Sequence, residues 1–212
     1  VAAFNHLHIF IDPNPCPEKS FEERKRLFHL PRSTWKDYNA HLLSKGGGIF
    51  LRSQKSIVLS SEIKKLLDIN QDSIAPDGLI RAILKASVDL LWNGGIGTYV
   101  KASSERNPDV GDRTNDSLRI DAKELRSRIV AEGGNLGLTQ LGRVEYALNG
   151  GLIYTDFIDN SAGVDCSDHE VNCKILLNAV VAAGEMTFDQ RNALLAEMTD
   201  EIAKLVLYDN YC

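Results

Sequence analysis

No two of the four cysteines, Cys16, Cys166, Cys173 and Cys212, stand in a CxxC spacing, and they are too scattered for a disulfide framework. They suit reduced thiols in a cytoplasmic protein. Long hydrophobic runs are also missing, since none approaches the roughly 18 residues of a membrane-crossing helix. Positive charge is in deficit: 24 Lys and Arg face 29 Asp and Glu, a net charge of −5. That removes the basic face which nucleic-acid binding requires. There is no GxGxxG, so no strand-to-helix turn here is built to cradle phosphate groups. A nucleophile elbow, an internal repeat and a low-complexity segment are absent too. The chain opens at Val1 inside an apolar run, with neither methionine nor leader, and reads as a piece excised from a longer protein.

What is present suffices for a core. With 43% hydrophobic residues among 212, the chain is expected to form one α/β domain. Its organising stretch is 129–177. An apolar run ends in Glu132-Gly133-Gly134-Asn135, and Thr139 caps an amphipathic segment over 140–148. A second apolar run, Leu152-Ile153-Tyr154, leads to Asp159-Asn160-Ser161-Ala162-Gly163-Val164, and a long apolar-striped segment follows. Strand, turn, helix, strand, turn, helix is the order of a parallel α/β sheet, in which ligands sit at the carboxyl ends of strands.

Upstream, residues 1–4 read as a buried strand that ends at Asn5, and Ile9-Phe10-Ile11 as extended chain stopped by Asp12-Pro13-Asn14-Pro15. Helices are expected over 20–30, capped by Ser20 and Glu23, over 62–67, and over 77–85 behind Pro76. Gly46-Gly47-Gly48 precedes an extended run and reads as a turn. Residues 88–92 form a further strand, and Asn93-Gly94-Gly95 is its terminal loop, where glycines allow a backbone to approach a ligand. The polar stretch 103–121 reads as an exposed excursion; its aspartates miss the EF-hand spacing. Ser167 and Glu170 match a capping box at the start of the striped helix, and Thr187 and Gln190 match another at the start of a last helix over 186–208. Cys166, Asp168 and His169 crowd too closely for a helical metal site and read as polar surface.

The motifs Glu132-Gly133-Gly134-Asn135, Asp159 to Val164 and Ser167 resemble the cofactor domain of glutamate dehydrogenases. Asp89-Leu90-Leu91-Trp92-Asn93-Gly94-Gly95-Ile96-Gly97-Thr98-Tyr99, Val110-Gly111-Asp112 and the residues 160–170 resemble the very large bacterial NAD-specific members, and the likeness covers nearly the whole chain. It implies a Rossmann-like three-layer αβα fold with a mostly parallel sheet, truncated at its N-terminal strand. Residues 1–185 are expected to form the NAD-binding domain, with its first strand and glycine-rich turn lying upstream, and 186–212 a helix leading out.

By the same resemblance Asn5, Asn93, Gly94, Gly95, Asn135 and Asn160 contact NAD, while Val164 and Ser167 contact the substrate. Asn5 stands where an aspartate that holds ribose hydroxyls is more usual. On residue chemistry alone, Asn135 and Asn160 read first as turn-capping residues, and Asn5 serves equally as a strand-end turn residue. The parent reaction implied is oxidative deamination of L-glutamate to 2-oxoglutarate and ammonia by a cytoplasmic homo-oligomer. The lysine and aspartate that carry the chemistry are placed outside the chain, which by itself is expected to be inactive and to contact the rest of its parent. Two alternatives stay open: another amino-acid dehydrogenase, or a Rossmann-like regulatory or assembly module without catalysis.

Overall fold

The computed structural model describes every residue from Val1 to Cys212. The chain divides into two units, one of Val1–Leu91, Gly97–Ile129 and Leu138–Leu152, the other of Trp92–Ile96, Val130–Gly137 and Ile153–Cys212.

In the first unit β1 (Ala2–Phe4), β2 (His8–Ile11) and, after α1 (Pro17–His29), β3 (Gly48–Leu51) form an antiparallel sheet in the order β1-β2-β3. The first strand was expected in the parallel sheet and is not there. The cause is Asn5. Its Oδ1 accepts the N–H groups of Leu7 at 2.9 Å and His8 at 2.7 Å, a side-chain turn that folds the chain straight back. All four residues of β2 are buried. Phe10 stacks on Trp35 at 4.3 Å and meets Tyr38 edge-on at 4.9 Å. Helix α1 starts four residues earlier than an N-cap at Ser20 would place it, because Pro17 occupies its first position and Cys16 its N-cap. Glu23 instead accepts from Arg26 and from the Asn39 N–H.

The short strands β4 (Ile57–Val58) and β5 (Ser73–Ile74) pair antiparallel around α2 (Ser61–Leu67), which Ser60 caps. Helix α3 (Pro76–Leu84) buries Leu79, Ile80, Ile83 and Leu84, the stripe its spacing foretells. The chain continues through β6 (Leu90–Asn93), β7 (Val100–Lys101), α4 (Asn107–Val110), β8 (Ile120–Asp121), β9 (Ile129–Glu132), α5 (Gln140–Leu148) and β10 (Leu152–Ile153). Strands β7 and β8 pair in parallel. A three-stranded sheet has the order β10-β9-β6, so the runs expected at 88–92, 129–131 and 152–154 do share a sheet. Its β6 and β9 run in parallel, as the advance from the Arg128 N–Val88 O bond to the Gly133 N–Asn93 O bond requires. The architecture is thus mixed α/β, with parallel strands divided among small sheets.

The polar stretch 103–121 is exposed or half-buried as far as Ser117, as expected of a loop-helix excursion, but its end turns inward. Leu118 and Ile120 are buried, and the Arg119 side chain is wholly inaccessible. Arg119 donates to Thr98 O at 2.9 Å, Asn107 Oδ1 at 3.1 Å, the Asp116 carboxylate and Asp112 O. One guanidinium gathers the loop's acceptors inward, which a polar composition does not reveal.

The second unit is helical beyond its strand ends: α6 (Asp156–Asp159), α7 (Ser161–Cys166), a wide π turn over Ser167–Val171, α8 (Asn172–Ala182), α9 (Phe188–Glu197) and α10 (Thr199–Asp209). The box expected at Ser167 and Glu170 does not start a helix. Backbone is already helical from Ser161, and Ser167 lies within it at φ −66°, ψ −41°. The Thr187–Gln190 box does form, with bonds of 3.2 and 2.9 Å. The single last helix expected is two, divided at Met198. Val206 anchors α10, which is pinned by the Ser161–Asn210 contact and by His169 Nε2 3.1 Å from Asp209 Oδ2. No helix is long and apolar enough to cross a membrane.

Candidate functional site

Two strands in the second unit end side by side. Gly133, just past β9, donates its N–H to the carbonyl of Asn93, the last residue of β6, at 2.8 Å. The turns beyond them touch. A Cβ on Gly134 would lie 2.4 Å from the Gly95 carbonyl oxygen, so only glycine allows the approach. A Cβ on Gly137 would lie 1.8 Å from Asn93 Nδ2 and 2.6 Å from Glu132 Oε1. Gly95 faces open space.

The Asn93 side chain is singular among these groups. Its Nδ2 is buried and has no hydrogen-bond partner within the protein. An orphaned amide donor costs free energy unless a ligand or water meets it.

From the other side, α6 and α7 bring up Asn160, which donates from Nδ2 to Asn135 Oδ1 at 3.1 Å. The Asn160 amide also lies over Gly163, where a Cβ would come within 2.5 Å of Nδ2. Ser167 Oγ donates to the Gly163 carbonyl at 3.1 Å, one turn further along, and Val164 is partly exposed on the same helix. Asn93, Gly94, Gly95, Asn135, Asn160, Val164 and Ser167 all belong to this unit. Asn5 belongs to the first unit, where the turn between β1 and β2 occupies its Oδ1.

Three acids went unassigned in the sequence. Glu132 is almost fully buried and accepts the Gly137 N–H at 2.9 Å. Asp159 Oδ2 accepts the Glu132 N–H at 3.0 Å, and Asp156 Oδ2 accepts that of Leu136 at 2.8 Å. An acidic residue closing an apolar strand, as Glu132 does, was the available signal. An open hollow of about 500 Å³ in the first unit, beside Arg81, Lys85 and Arg126, offers no comparable set. There Glu124 neutralises Lys85 and Asp68 neutralises Arg126.

Glycine turns and asparagines thus gather at the carboxyl ends of parallel strands, the edge at which open α/β sheets in general take their ligands. Comparison with known proteins makes that class particular. The family model described as the bacterial NAD-glutamate dehydrogenase catalytic domain matches residues 1–212, and the chain belongs to this family. It is 66% identical to the NAD-specific glutamate dehydrogenase of Pseudomonas aeruginosa and 61% identical to that of Halomonas elongata, each over 100% of this chain. Identity to the Mycobacterium tuberculosis enzyme of the same name is 56% over 99% of the chain. In each case the chain spans 13% of the relative's length.

Proposed function

We propose that the chain is the NAD-contacting α/β part of an NAD-specific glutamate dehydrogenase, whose parent enzyme converts L-glutamate to 2-oxoglutarate and ammonia. Family membership and the names of the relatives support this. The observation that carries it is the bond between Asn160 and Asn135, which joins the turn after β9 to the helix bearing Val164 and Ser167.

The residues present fit the nicotinamide end of NAD. Asn93 Nδ2 is a buried donor in want of an acceptor, and Gly95 and Gly134 leave the strand ends without side chains. When bound, the nicotinamide ring accepts the hydride; the protein supplies position and polarity. Since Asn160 Nδ2 donates a hydrogen bond to Asn135 Oδ1, Asn135 keeps its Nδ2 donor and Asn160 its Oδ1 acceptor. The pair offers both polarities without adding charge. Ser167 serves the substrate carboxylate by turning its hydroxyl away from Gly163 O, beside an apolar wall at Val164.

In this reading residues 1–185 are the nucleotide part, 186–212 leads out of it, and the lysine and aspartate of the chemistry lie elsewhere in a cytoplasmic, homo-oligomeric parent. Replacing Asn135 by alanine in the full-length enzyme is expected to raise the NAD dissociation constant about tenfold, the loss of one hydrogen bond to the cofactor. Unchanged binding of NAD, measured by calorimetry, overturns the proposal.

A further inference from the structure

The turn between β9 and α5 contains Gly133, Gly134 and Gly137, residues that confer backbone freedom. Yet Leu136 within it holds a left-handed conformation at φ 62°. A non-glycine residue adopts this only where its surroundings over-determine it, and such residues gather at ligand clamps. Packing is not what holds Leu136, because its side chain is 66% exposed. Hydrogen bonds are. Asp156 takes the Leu136 N–H, Asp159 takes the Glu132 N–H, and Glu132 takes the Gly137 N–H. Carboxylates make the stronger class of bond to backbone N–H groups. Asn160, directly after Asp159, then reaches Asn135 in the middle of the same turn.

We propose that Asp156 and Asp159 are positioning residues, which clamp the backbone on both sides of Asn135 and so fix its amide for the cofactor. The proposal rests on the NAD reading above. Neither aspartate touches the cofactor; both act through Leu136 and Glu132. The clamp and the amide contact come from one short helix, so Asn135 and Asn160 are set by a single element.

The test uses the full-length enzyme with four variants, Asn135→Ala, Asp159→Ala, Asp159→Asn and Leu136→Gly. NAD dissociation constants, the KM for glutamate and thermal midpoints are measured for each. Asp159→Ala is expected to weaken NAD binding about tenfold or more. Asp159→Asn, which keeps an acceptor oxygen, is expected to recover most of that loss. Leu136→Gly removes the left-handed penalty, so its thermal midpoint should hold or rise while NAD affinity falls; a merely structural turn would not separate the two. NAD affinity unchanged in Asp159→Ala and Leu136→Gly, with Asn135→Ala impaired, overturns the clamp and leaves the cofactor reading standing. Wild-type affinity in Asn135→Ala overturns both. Should Asp159→Ala not fold, the contrast between Asp159→Asn and Leu136→Gly decides the question.

Discussion

Asn160 and Asn135 stand 25 positions apart in the chain, and their side-chain amides meet at 3.1 Å. A pair that merely capped two separate turns would have no reason to touch. Truncating Asn160 to alanine in the full-length enzyme is therefore expected to cost about 1–3 kcal/mol in kcat/KM for NAD. Steady-state kinetics with NAD varied reads the loss, and an effect confined to the thermal midpoint would make Asn160 a structural cap.

Ser167 should behave differently. Its hydroxyl is bonded back to Gly163 O within continuous helix, a contact worth little to stability. Ser167→Ala is expected to raise the KM for glutamate while leaving that for NAD nearly unchanged. Kinetics with each substrate varied in turn distinguishes this from an enzyme with both constants unaltered, which would assign the hydroxyl to the helix alone.

Arg119 tests the folding of the first unit. Exchange for methionine keeps the apolar stem but strands the Asp116 carboxylate and the carbonyls of Thr98 and Asp112. The expected loss is on the order of 1–3 kcal/mol in urea unfolding, the cost of leaving buried carbonyls without their donor, because the Asp116 carboxylate is 38% exposed and stays partly solvated. A loss below about 1 kcal/mol would show the loop to be held by other contacts.

Acid should loosen the same unit through Glu23. Hydrogen bonds from Arg26 lower the pKa of this carboxylate, burial opposes them, and the Asn39 N–H assists. Because the folded value lies below the unfolded one of about 4.3, the stabilisation is complete above that pH. It is lost as pH falls through the depressed value. Thermal midpoints followed from pH 6 downward are expected to drop less steeply for Glu23→Gln than for the wild type; parallel curves would remove Glu23 from the account.

Much of the frame was legible because local signals agreed with one another. Helices α3 and α5 combine apolar positions at helical spacing with a clear start at Pro76 and Thr139, and the runs ending at Asn93, Glu132 and Ile153 are strands of one sheet. The errors arose where a pattern has two physical meanings. Ser-x-x-Glu at Ser167 is a capping box only if the preceding chain is not helical, and it is helical from Ser161. An apolar run at Ala2–Phe4 is a central parallel strand only if the chain then leaves the sheet, and Asn5 sends it back instead. At the site, the asparagines were marked by resemblance. The aspartates that order them were not, since a bond such as Asp159 to Glu132, 27 residues away, leaves no trace in spacing.

The wide turn over Ser167–Val171 carries a consequence for what lies on either side of it. A π turn holds one residue more than the regular helix around it. Each residue advances an α-helix by about 100°, so that single extra residue resets the angular phase of everything downstream. Ser161–Cys166 and Asn172–Ala182 thus behave as two throws of a crankshaft, cut at different angles on a common axis. The upstream throw is keyed to Asn135 through Asn160. The downstream throw turns Ile175 and Leu176 outward to solvent.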